Sequence, residues 1–214
     1  MNAHSPEHTR SDGPPFFDVV FTQRACRDYA PTPVDDETIE RILRAATHAP
    51  SAENKQPWEF VVVRDVAIQQ KIHDLTEAAW LGGGRDRSET RLEPHLFKDV
   101  DYGFAGGGFR TAPVLVVVCG DLERGVRSTM SSSIFPCVQN LLLSAAALGL
   151  GSALTTLVAT CRDEVSALLA LPEHVVPIAA IPIGTPALAL APPQRRPVAA
   201  HAHRDRYGTS WSPL

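Results

Sequence analysis

Residues 131–148 constrain the fold more than any other part of this chain. Phe135, Val138, Leu141, Leu142, Ala145 and Leu148 recur at helical spacing, and the segment is apolar on most of its faces. A helix of that kind is buried nearly all round, so other layers must enclose it. Gly149 follows, where a left-handed residue ends a helix. The enclosing layers are legible too. Residues 58–63 (WEFVVV), 114–119 (VLVVVC) and 175–184 (VVPIAAIPIG) are apolar runs of strand length. A helix capped by Asp35 or Asp36 carries Ile39, Ile42, Leu43 and Ala46 at i, i+3, i+4, i+7. Further helices are expected over 16–22, 66–80 and 163–170, the last capped by Asp163, and Ser131–Ser133 are expected to cap the long one. The interleaving predicts an α+β domain of three layers.

The chain has 214 residues, 20 Lys and Arg against 24 Asp and Glu, and a net charge of −4. A negative balance argues against nucleic-acid binding, which needs a positive field. No run approaches the ~18 apolar residues of a membrane span. Residues 1–15 are polar and lack the apolar stretch of a signal peptide, so they read as a flexible arm. Cys26, Cys119, Cys137 and Cys161 form no CxxC pair and are expected to be buried thiols in a reducing cytoplasm. Two glycine triplets, 82–84 and 106–108, bracket a charged stretch without period. Residues 80–110 therefore read as a loop or mobile lid with room for a short helix. One domain over 16–198 is expected; residues 186–214 are Pro- and Ala-rich with no core of their own, a tail that either frays or packs on a partner, and 199–214 are expected to pack on a partner subunit.

Several chemistries are absent. There is no GxGxxG after a strand, no GxxxxGK[ST], no HExxH and no GxSxG. The histidines are scattered, and no metal site is expected. Four segments remain that suit an anion and a flat ligand. Gln23-Arg24-Ala25-Cys26-Arg27 carries two arginines three apart, able to clamp a phosphate. Residues 49–58 (APSAENKQPW) put Ser51, Asn54 and Gln56 between two stiffening prolines. Residues 148–156 (LGLGSALTT) follow the buried helix with small residues that let backbone approach a flat ring. Gly184-Thr185-Pro186 leads to a second arginine pair, Arg195-Arg196.

These four segments, in this order, resemble the nitroreductase family of FMN-dependent oxidoreductases. The resemblance spans residues ~16 to 198, leaving only the 80–110 region unmatched. It implies a three-layer α/β/α fold with a mixed, mostly antiparallel sheet around the long helix. It also implies a domain-sharing homodimer, with FMN at the interface and both chains in contact with it. The family's early arginine block falls on Gln23, Arg24, Ala25, Cys26 and Arg27, with Arg27 at the flavin N1/O2 edge. Gln23 replaces the family's first arginine and Ala25 its serine, so one phosphate contact and one hydroxyl contact depart from the family pattern, with backbone N–H groups able to serve instead. Ser51 and Asn54 match the pair near the pyrimidine ring, Leu154, Thr155 and Thr156 the backbone near N5 and O4, and Arg195 the late phosphate arginine.

The reaction implied is ping-pong: NADPH or NADH passes hydride to FMN, leaves, and an electron-poor aromatic acceptor, a nitroaromatic or quinone, takes the electrons. No catalytic side chain is assigned. Trp80, His95, Phe97, Tyr102, Phe104 and Phe109 are the candidates for substrate contact from the lid. Two alternatives stand beside this. A dehalogenase-like flavoenzyme would clamp its substrate with a lid Glu, Tyr and Lys; here Glu77 is present, but Leu81 stands at the tyrosine position and Lys98 is the only nearby lysine. A non-catalytic FMN-storage dimer would close the ring face with the lid.

Overall fold

A computed structural model describes residues 14–211. The sheet has four strands in the order β1–β2–β4–β3, every neighbouring pair antiparallel. β1 is Trp58–Val63, β2 Val114–Asp121, β3 Gly151–Ser152 and β4 Val175–Gly184. The parallel component expected of a mixed sheet reduces to one isolated bridge, Ala25 to Ser152. β2 and β4 are central and buried on both faces, hence their unbroken apolar runs. Val114, Val116 and Val118 of β2 turn toward one core, whereas Val117 and Cys119 turn toward the other.

The first core holds α2 (Asp36–Ala46) and α6 (Met130–Ala147) against the sheet. Asp35 caps α2, its carboxylate accepting the Thr38 N–H at 2.7 Å, and Ile39, Ile42 and Ala46 are buried at helical spacing. The central helix is capped by residues other than the serines. α6 begins at Met130 without a side-chain cap, and Ser133 is buried and engaged elsewhere. It ends in a Schellman turn: Gly149 is left-handed at φ 75°, its N–H reaches Ala146 O, and Leu150 N–H reaches Ala145 O. The second core holds α3 (Val66–Ala79) and α7 (Arg162–Leu168) on the opposite face. α7 starts one residue before Asp163, which falls in its first turn. The α/β/α layering follows directly from two apolar faces on one sheet.

α1 (Phe16–Thr22) lies on the outside, leaving Phe16, Phe17 and Phe21 about two-thirds exposed. Residues 80–110 are far more helical than their sequence suggests. A π-helical turn over Trp80–Gly84 leads into α4 (Arg85–Glu89) and α5 (Pro94–Phe104). The four cysteines are buried and free, and burial pushes the Cys119 and Cys137 thiols up to about 12. Of the expected N-terminal arm, residues 1–13 lie outside the described residues.

Candidate cofactor site

The arginine-bearing segment is laid along the edge of the sheet. Cys26 N–H donates to Ser152 O at 2.9 Å, Ala30 N–H to Thr185 O at 2.8 Å, and Ala187 N–H to Asp28 O at 3.1 Å. Tyr29 is buried, its hydroxyl 2.7 Å from Cys26 O. Gly151 is needed here, because a Cβ would stand 2.6 Å from the Cys26 thiol. Three of the four segments singled out in the sequence thus meet in one place. Gln23 and Arg24 border a hollow of about 200 Å³ with Gly149, Ser152 and Pro186. Arg24 donates to Ala191 O at 3.0 Å, fixing the chain four residues before Arg195. Arg195 itself is exposed and, among the described residues, donates to Gln194 O alone. Leu154 and Thr156 are exposed, while Thr155 is buried with its N–H and C=O both paired to Ala180.

The fourth segment lies elsewhere. Glu53, Asn54 and Gln56 are all left-handed, with φ of 53°, 53° and 50°. Each such non-glycine residue costs about 1 kcal/mol or more, and strain of this kind collects at functional sites. The loop is held by Ser51 Oγ, which accepts Gln56 N–H at 3.0 Å, and by Asn54 Oδ1, which accepts from Gln56 Nε2 at 3.2 Å. Ala52 N–H reaches across to Ser133 Oγ at 3.1 Å. Ser133 therefore ties this loop to the start of α6, whereas Gln23 and Arg24 stand beside Ala146 at its end. The helix from Ser133 to Ala146 spans about 20 Å. One chain keeps Ser51 and Asn54 at the other end of α6 from Arg24.

The lid is folded around a carboxylate. Asp101 accepts from Trp80 Nε1 at 2.9 Å and from Arg85 at 3.0 and 3.2 Å. Burial alone would push the Asp101 carboxyl up, but these hydrogen bonds outweigh it and hold it below the usual carboxylate value. Arg85 also lies over the Phe97 ring at 5.1 Å, and Trp80 stacks on Phe104, which meets Phe109 edge-on. Of the six lid candidates, Trp80 and Phe104 are buried as the lid's own core, Phe97 and Phe109 are half-buried, and His95 and Tyr102 are exposed. The lid rests on the arginine segment: Arg27 Nη1 pairs with Asp99 Oδ2 at 2.6 Å. Sequence reading missed Asp99 and Asp101, since isolated Asp residues carry no spacing signal, and gave Ser133 to helix capping rather than to the loop.

Arg110 gathers a second polar group behind the lid. It donates to His73 Nδ1 at 2.9 Å, Glu77 at 2.9 Å and Asp74 at 3.2 Å. His73, Asp74 and Glu77 stand close enough to share an ion, as do Asp121, Glu123 and His174. Arginine already serves the first group through Arg110, and Arg124 meets Asp121 at 3.2 Å in the second. Among the described residues no helix is long and apolar enough to cross a membrane.

The chain is thus a three-layer α+β fold with a strained polar loop and an arginine segment at opposite ends of its central helix. The sequence profile of the Nitroreductase family matches residues 20–185. A protein of Methanothermobacter thermautotrophicus, provisionally named an NADH dehydrogenase/NAD(P)H nitroreductase, is 33% identical over 175 residues, 79% of this chain and 76% of that protein. Iodotyrosine deiodinase 1 of Rattus norvegicus is 26% identical over 178 residues, 80% of this chain and 62% of its own length. A solved structure from Desulfovibrio desulfuricans, described as a candidate nitroreductase in complex with FMN, superposes with a TM-score of 0.68 at 28% identity, covering 91% of this chain and 98% of that one. The chain belongs to the nitroreductase family and is an oxidoreductase of that type.

Proposed function

We propose that this protein is an FMN-dependent oxidoreductase that takes hydride from NADPH or NADH and passes the electrons to an electron-poor aromatic acceptor, a nitroaromatic or quinone, in a ping-pong cycle. One observation carries the reading. The arginine segment and the strained Ser51–Asn54 loop sit at opposite ends of α6, about 20 Å apart along the helix. A single cofactor reaches both only where two copies meet, which is the arrangement of a homodimer with FMN between its chains. FMN is also the group seen in the Desulfovibrio relative.

The residues present suit that group. Arg27 is four-fifths buried, yet its one partner among the described residues is Asp99. Its remaining N–H groups are unengaged there and suit the flavin N1/O2 edge. The N–H groups of Leu154 and Thr156 likewise bond nothing among the described residues, which leaves donors beside a ring. Gln23, Arg24 and Arg195 would serve the phosphate, and Ser51 and Asn54 would come from the second copy. Bound FMN supplies the hydride-accepting ring nitrogen and the two-electron chemistry. The chain's own part is to place the ring, to set a cation where charge gathers on reduction, and to limit access through the lid. The buried, unpaired cysteines suit a cytoplasmic enzyme.

The deiodinase relatives favour a second reading, reductive dehalogenation. Glu77, the residue that reading needs free, is bound by Arg110, and Leu81 is exposed where a tyrosine is required. The test is steady-state turnover of the FMN-loaded protein with NADH or NADPH against a nitroaromatic, a quinone and iodotyrosine. Parallel double-reciprocal lines with the first two acceptors are expected. Turnover of iodotyrosine alone would move the reading to dehalogenation, and no donor oxidation at all would leave an FMN-storage dimer.

A further inference from the structure

We propose that Asp99 is a positioning residue for Arg27, through which the lid sets the charge presented to the flavin. The inference rests on the FMN reading above and assigns a role to a residue outside the family's cofactor motifs.

The lid is fitted to Arg27 at three points. Asp99 Oδ2 stands 2.6 Å from Arg27 Nη1. Gly103, four residues on and so on the same face of α5, lies where a Cβ would meet Arg27 Cδ at 2.8 Å. At Gly108 a Cβ would collide with the Arg27 carbonyl oxygen. Burial and the neighbouring Asp28 carboxylate push the phenol of Tyr102, one residue before Gly103, upward, and Thr111 Oγ1 donates toward the same carboxylate at 3.3 Å. Arg27, and Asp28 directly after it, thus face one side of the lid helix.

This arrangement has a chemical consequence. A guanidinium carries five N–H donors, and the Asp99 bond uses one. Arg27 can therefore hold Asp99 and a flavin edge at once, with Asp99 remaining in place when FMN binds. Reduction gathers negative charge at the flavin edge that Arg27 serves, and the cation favours the reduced form. A carboxylate on the other side of the same guanidinium tempers that preference. Asp99 also fixes the guanidinium, which otherwise swings on a long side chain. The lid residue that limits access to the ring then also tunes how readily the ring holds electrons.

Two variants separate charge from anchoring. Asp99→Asn keeps an oxygen that accepts from Arg27 but removes the charge. In the FMN-loaded protein it should make reduced FMN bind about tenfold more tightly relative to oxidised FMN, a rise of about 30 mV in the two-electron potential. Asp99→Glu should stay near the wild-type potential. Asp99→Leu removes the anchor, and amide hydrogen exchange over residues 94–104 of the FMN-free chain should quicken about tenfold. A normally loaded Asp99→Asn protein with an unchanged potential would overturn the charge role. Unchanged exchange in Asp99→Leu would overturn the anchoring role. If the wild-type chain takes up no FMN, the reading of the site fails, and the exchange experiment still decides whether Asp99 anchors the lid.

Discussion

In the proposed site Arg27 carries the most weight of any single residue, because its four-fifths-buried charge has one carboxylate partner among the described residues. A charge-assisted hydrogen bond contributes about 1.5–3 kcal/mol. Arg27→Ala should therefore weaken FMN binding by about ten- to a hundredfold, read by titrating the flavin's fluorescence, while the melting temperature changes little. Unaltered affinity would remove Arg27 from the site. His73 makes a different prediction. Burial and the adjacent Arg110 push its imidazole below the ordinary 6.5, with Glu77 and Asp74 opposing. The unfolded chain then takes up this proton before the folded one does, so stability falls as pH drops below about 6.5. His73→Gln should flatten that part of the thermal-stability profile; an unchanged slope would mean another group is responsible. Arg27 stands out in the sequence because its neighbours form an ordered motif. Asp99 does not, since its meaning comes from a partner 72 residues away.

Among the elements, the 51–56 loop depends on a helix that the sequence does not connect with it. Ser133→Ala removes the acceptor for Ala52 N–H, at a cost of about 1 kcal/mol. FMN affinity should fall with it, since Ser51 and Asn54 lose their fixed position. Equal affinity in the variant would show that the loop holds itself in place. β1 and β4 were read to the residue because both combine β-branched runs with clear ends. The lid was misread as largely irregular. α4 and α5 are short, and Asp101, Arg85 and Trp80 secure their packing through polar contacts that leave no apolar period. Ser131–Ser133 were misassigned to capping for a related reason. A serine near a helix start has several possible partners, and only the fold shows that Ser133 faces the loop.

At the scale of the whole molecule, the account requires two copies. Phe16, Phe17 and Phe21 stay exposed on α1, beside a groove of about 830 Å³ lined by Arg41, Arg44, Leu143 and Ala147. Exposed aromatics grouped like this mark an interaction surface. Residues 186–211 are mostly exposed as well, and His203 bridges to Ser210 and meets the Tyr207 ring at 4.4 Å, both within the same segment. Truncation after Arg196 should raise the dimer dissociation constant at least tenfold by sedimentation, and a truncated chain still dimeric at low micromolar concentration would contradict the wrapping tail. The layers and the core were visible in the sequence, since burial leaves a periodic record. That the arginine segment and the 51–56 loop stand at opposite ends of α6 was not, because distance along a helix becomes informative only once both ends have contents. The most direct test of the account is the visible spectrum of the purified protein supplied with FMN, followed by anaerobic addition of NADH and NADPH. The account predicts one flavin per chain retained through gel filtration, with its absorbance bleached by at least one of the donors. A chain that remains colourless after reconstitution would contradict it.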